Sequence, residues 1–107
     1  MNQSITNELE RIVKIIVQTV PVERIYLFGS YAYGVPNEES DIDIYVVLND
    51  DTPFDASEAR DKIGLALYKQ KTLPADILAL KKSRFEYRQG TVTLENEVAN
   101  KGVVLYG

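Results

Sequence analysis

Asp41-Ile42-Asp43-Ile44-Tyr45-Val46-Val47-Leu48 is the stretch on which the reading of this chain turns. Ile42, Ile44, Val46 and Leu48 alternate with Asp41, Asp43, Tyr45 and Val47, which is the period of a β-strand. Residues two apart in a strand point to one face, with Cα atoms roughly 6.6 Å apart. Asp41 and Asp43 therefore share a face and repel each other. In a partly dry site that repulsion costs on the order of a few kcal/mol, or forces one carboxyl to keep its proton. Water, a basic neighbour or a divalent cation relieves it, and no basic residue is close in sequence. Hard oxygen ligands select Mg²⁺ or Mn²⁺ over zinc. A solvated strand start explains the same pair without any cation. An EF-hand is excluded, because the sixth residue from Asp41 is Val46 and the twelfth is Thr52.

Upstream, Arg24 to Phe28 is a short apolar run that reads as a buried strand ending at Gly29. Gly29-Ser30 then opens a tight turn or single helical turn to Gly34. There glycine permits close backbone approach, and free N–H groups with a hydroxyl suit an anion. An ordinary strand-ending turn is the plain alternative. Val35 to Ser40 reads as a polar loop. Before the strand, Ile5, Leu9, Ile12, Val13, Ile16 and Val17 recur at helical steps, with Ser4 or Thr6 as cap and Pro21 as the stop.

Downstream, Asp55 and Glu58 have capping-box spacing, and Ala59, Ile63, Ala66 and Leu67 give the second helix its apolar stripe. A third strand is expected over Ala75 to Leu80. Asp76 inside it is costly unless partnered, and strands about 4.8 Å apart allow it to join Asp41 and Asp43 around a pair of cations. An edge position facing solvent is the alternative. A short helix around Ser83 to Gln89 follows. A last one, about Val92 to Lys101, is closed by Gly102 as a glycine cap, and Val103 to Tyr106 suits a terminal strand. Helices alternating with short apolar strands predict an α/β fold, one small mixed sheet of three to four strands flanked by helices.

The chain has 107 residues, room for one domain over 1–107. It contains no cysteine and no histidine, which excludes disulfides, thiol nucleophiles, Cys/His zinc sites and a Ser-His-Asp triad. The formal charge of −4 argues against direct gripping of duplex nucleic acid. No apolar run approaches the ~20 residues that span a bilayer. The expectation is a cytoplasmic protein without a membrane segment. Charge is unevenly spread: Pro36 to Asp61 holds nine acidic residues and one basic, whereas Lys62 to Arg88 holds seven basic and two acidic. Solvated faces account for both blocks; so does a cation-seeking cleft beside a phosphate-seeking wall.

Taken together, Leu27-Phe28-Gly29-Ser30-Tyr31-Ala32-Tyr33-Gly34, then Ser40-Asp41-Ile42-Asp43-Ile44, and the tail Asn100-Lys101-Gly102-Val103-Val104-Leu105-Tyr106 resemble the minimal nucleotidyltransferases. These are the smallest members of the DNA polymerase β-like nucleotidyltransferase superfamily. The likeness runs along essentially the whole chain, and the spaced Gly-Ser and Asp-x-Asp pair is its specific part. It implies Mg²⁺-dependent transfer of a nucleoside monophosphate, AMP from ATP foremost, to a hydroxyl with pyrophosphate leaving. Asp41, Asp43 and Asp76 would be the catalytic, metal-binding carboxylates of a two-ion site, and Gly29 and Ser30 would steady the nucleotide's phosphates. It further implies a small helical HEPN-type partner, with the chain as antitoxin of a toxin–antitoxin pair. Many relatives carry arginine where this chain has Tyr33, a charge that tyrosine does not supply; Lys69, Lys71, Lys81, Lys82 and Arg84 are candidate substitutes. Tyr31 and Tyr33 are the tyrosines expected near a nucleotide. A non-catalytic antitoxin or adaptor keeping the fold is the competing reading. A glycosyltransferase with the same Asp-x-Asp needs a far longer chain.

Overall fold

The computed structural model describes residues 3–34, 36 and 41–107. Helix α1 (Gln3–Thr19) is followed by strand β1 (Val22–Phe28), the one-turn helix α2 (Ser30–Tyr33) and strand β2 (Ile42–Leu48). Helix α3 (Ala56–Lys69), strand β3 (Ala75–Lys81), helices α4 (Lys82–Gln89) and α5 (Leu94–Lys101) and strand β4 (Val103–Tyr106) complete the order. The strands form one sheet in the order β3-β2-β1-β4. β1 is antiparallel to both β2 and β4, and β2 is parallel to β3. The sheet is mixed and has helices on both sides, which is the expected α/β class. The parallel pair is joined by α3, as a parallel crossover requires.

Strand alternation divides the interior in two. Ile25 and Leu27 of β1 and Ile42, Ile44, Val46 and Leu48 of β2 pack against Leu9, Ile12, Ile15 and Ile16 of α1 and Ala59, Ile63 and Leu67 of α3. On the opposite face Tyr26, Tyr45 and Val47 pack against Phe85 of α4 and Val98 of α5. The Phe85 ring stacks on Tyr26 at 5.8 Å between centroids and meets Tyr45 edge-on at 5.2 Å.

The capping box expected at α3 is present, and a further pair of bonds fixes the N-terminal helix. Asp55 caps α3 in a full capping box, accepting from Glu58 N at 2.8 Å while Glu58 accepts from Asp55 N. Arg11 of α1 donates to the Gln70 carbonyl and Glu8 accepts from Leu73 N, tying α1 to the loop that leads into β3.

Other local expectations are corrected. α1 already includes Gln3, so Ser4 and Thr6 lie inside its first turns rather than at its cap. β1 begins at Val22, two residues early, through an irregularity between Val22 and Arg24 that lets a partly exposed segment still pair with β2. α5 starts at Leu94, because Thr93 accepts from Asn96 N and so becomes its cap. Gly102 closes α5 through an N–H bond to Val98 O at 2.8 Å, but its backbone is extended (φ −67°, ψ 159°), not left-handed. Glycine is needed there for room: a Cβ would stand 2.5 Å from Val98 O and 3.2 Å from Leu27 O. The polar loop expected over 35–40 lies outside the described residues apart from Pro36. So does Ser40 of the quoted motif.

Candidate active site

The candidate site is assembled where three elements end on the Tyr45 side of the sheet. Register brings Asp43 of β2 beside Asp76 of β3, and it brings Phe28, the last residue of β1, opposite Asp43. Register partners share a face, so both carboxylates rise on the side that carries Tyr45, Leu78 and Leu80. Asp41 precedes β2 by one residue and is exposed, as is Asp76; Asp43 is half-buried. Burial raises the Asp43 pKa above its ordinary value, and the charges of Asp76 and then Asp41 raise it further. Asp76 and Asp41, both singled out in the sequence, thus act on Asp43 at one end of the sheet.

Gly29 follows β1 and faces the same carboxylate. Its φ of +75° lies in the region that favours glycine. A Cβ there would run into the Asp43 carboxylate, Oδ2 first. Gly29 then caps α2 by accepting from the N–H groups of Ala32 and Tyr33 through its carbonyl, so the expected bend is a single helical turn. Ser30 is the first residue of that turn. Gly29 and Asp43 are therefore fitted to each other: the missing side chain of one is the space filled by the other.

Hard oxygen donors held together and repelling one another fit a hard divalent cation. The raised Asp43 pKa is of one piece with this, because burial and the like charges of Asp76 and Asp41 are its causes. The carboxylates are not gathered into a closed cage: among the described residues no group of three or more His, Cys, Asp or Glu side chains is spaced to hold a metal ion.

Three of the candidate substitutes for a positive charge at Tyr33 have neighbours on other elements. Lys82 pairs with Glu23 at 3.5 Å and Glu86 at 3.9 Å. Lys69 and Lys62 of α3 share a surface hollow with Phe54, which precedes the helix. Arg84 lines a cleft at β3. Tyr33 is 43% exposed. Tyr26 and Tyr45 are core residues, whereas Tyr68 and Tyr87 are exposed on helix surfaces, so the tyrosines do not form a stacking platform.

A polar network behind the site has no forerunner in the sequence reading. The Tyr45 hydroxyl donates to Glu95 Oε2 at 2.8 Å, and Arg88 Nε donates to Glu95 Oε1 at 2.7 Å. Glu95 is buried, which by itself pushes its pKa up; the bonds from Arg88 and Tyr45 outweigh this and hold it below its ordinary value. Burial, and then Glu95, keep the Tyr45 phenol protonated far above neutral pH. Period two places Tyr45 on the face of Asp43, a signal present in the sequence; Glu95, 50 residues on, carried none.

Comparison with known proteins agrees with this fold. A nucleotidyltransferase domain model matches residues 9–105. A crystal structure of a toxin–antitoxin with AMP-PNP is 31% identical, over 94% of this chain and 73% of that one, with a TM-score of 0.58. A crystal structure at 1.40 Å resolution of a provisionally assigned nucleotidyltransferase from Sulfolobus solfataricus shares the fold, with 18% identity, a TM-score of 0.61, and 97% and 87% of the two chains covered. No curated protein shows significant similarity. Among the described residues no helix is long and apolar enough to cross a membrane. A Gly-Ser bend against paired strand aspartates, within a match that spans nearly all of the chain, places this protein in the nucleotidyltransferase domain family.

Proposed function

We propose that the chain transfers AMP from ATP to a hydroxyl of a partner protein, a small helical HEPN-type toxin whose antitoxin it is. It acts as one catalytic domain in the cytoplasm. The observation that carries this reading is the pairing of Asp43 with Asp76 against Gly29. The similarity to a toxin–antitoxin holding AMP-PNP supports the nucleotide and the class of partner.

Asp41, Asp43 and Asp76 are the residues that would hold Mg²⁺, two ions during catalysis, which when bound neutralises charge on the entering and leaving oxygens. The backbone of Gly29 and the hydroxyl of Ser30 hold the β- and γ-phosphates. Asp76, on the outer strand, takes the proton of the attacking hydroxyl. The bond from that oxygen to the α-phosphorus forms as the α–β anhydride bond breaks, and pyrophosphate leaves. Little covalent work falls to the protein; positioning and electrostatics supply the rate.

The neutral, exposed Tyr33 favours the competing reading, in which the chain binds its partner without chemistry. Incubation with each α-labelled NTP, Mg²⁺ and the product of the neighbouring gene separates the two. Label is expected on that product from ATP, and Asp41→Asn or Asp43→Asn removes most of it. Transfer indifferent to both substitutions removes the site assignment, and function without any transfer establishes the binding reading.

A further inference from the structure

β3 is an outer strand of the sheet, and Asp76 stands near its start. A cleft of about 280 Å³ is lined by Leu78, Ala79 and Leu80 of this strand. Tyr45 and the buried Glu95 also line it, and Leu78 and Leu80 belong to the same aromatic face while Ala79 belongs to the aliphatic one, so the cleft opens from the aromatic face onto the free edge. Arginines flank it on both sides: Arg60 from α3, and Arg84 and Arg88 from α4. Arg88 is engaged by Glu95, whereas among the described residues Arg60 and Arg84 form no ion pair. In a chain of net charge −4, this edge is a local concentration of positive charge.

We infer that the free edge of β3 is the binding site for the acceptor: an extended, acidic peptide segment that pairs with β3 as an added strand and delivers its hydroxyl beside Asp76. This rests on the transfer reading above and names its acceptor. An outer strand presents unpaired N–H and C=O groups that fit an extended peptide. The fields orient that peptide. Asp43 and Asp76 repel carboxylates from one end of the edge, while Arg60 and Arg84 attract them at the other. Leu78 to Leu80 lie two to four residues beyond Asp76, roughly 7–13 Å along the strand. The acidic residues of the acceptor therefore lie two to four positions from the modified hydroxyl.

The test uses the full chain and two synthetic peptides of equal length, each with one serine and, two to four positions away, either glutamates or lysines. Fluorescence anisotropy without nucleotide reads binding; transfer from labelled Mg²⁺-ATP reads chemistry. The glutamate peptide is expected to bind at least tenfold more tightly than the lysine peptide. Arg60→Glu or Arg84→Glu should erase most of that preference and raise the acceptor concentration for half-maximal transfer. N-methylation of alternate peptide amides should abolish binding. Both arginines are exposed helix residues, and circular dichroism verifies that the variants fold. Binding of the glutamate peptide without transfer to any acceptor keeps the edge site and defeats the transfer reading. Transfer indifferent to peptide charge and to both arginines keeps the transfer reading and overturns this one. Variants that only aggregate, with equal peptide binding, show an edge guard and also overturn it.

Discussion

Asp43 and Ile44 are consecutive on β2 and point into opposite layers, and the two layers are built of different material. Ile44 is wholly buried among the aliphatic side chains of α1 and α3. Asp43 faces a layer of aromatic rings, a buried carboxylate network and other acidic groups. One layer gains its stability from dispersion and lost water contact. The other spends stability on charges held where they can meet a ligand. The division assigns most of the folding energy to the aliphatic layer and leaves the acidic groups to the other.

The largest effect that checks this division is expected from Ile44→Ala. The site lies within a layer of fully buried neighbours that collapse poorly, so the loss is about 3–4 kcal/mol in chemical denaturation. A loss below about 1 kcal/mol would mean that the aliphatic layer is not the stabilising one. Tyr45→Phe is the matching change on the other layer. It removes one bond to Glu95 and leaves the bond from Arg88, so the expected cost is about 1–2 kcal/mol. Equal costs for the two variants would erase the contrast.

How much of this was legible depended on whether the signal was local. The alternation in 42–48, the capping box of Asp55 and Glu58, and the Gly29-Ser30 bend all act within a few residues, and each was readable. The strand order was not, because pairing β2 with β3 across α3 is decided by how the helix stripes pack. For the same reason sequence could propose that Asp76 meets Asp43, but only the parallel register fixes it. Glu95 looked like an ordinary helix residue, since its partners Tyr45 and Arg88 come from separate elements. Arg84 and Arg88 were visible within a basic block, but Arg60 stood as the one basic residue of the acidic block, and their convergence on one edge needs α3 and α4 on opposite sides of it.

The smallest and most diagnostic effect is that of Asp43→Asn on stability, which runs against the usual direction for a partly buried polar residue. A carboxyl whose folded-state pKa lies above its ordinary 3.8 binds its proton more tightly when folded. Its penalty is absent below both values, grows as pH rises through the folded pKa, and is complete at neutral pH. Asparagine carries no charge, so at pH 7 the variant is expected to melt above the wild type. That advantage should shrink as pH is lowered from 7 toward 4, because the wild-type carboxyl then takes up its proton. Glu95 behaves oppositely, losing stability as pH falls, but it does so in both proteins and cancels in their difference. Adding Mg²⁺ at pH 7 should raise the melting temperature of the wild type and leave the variant nearly unmoved. If the variant melts lower at every pH, Asp43 is an ordinary structural residue, and the contrast between the layers loses its functional half.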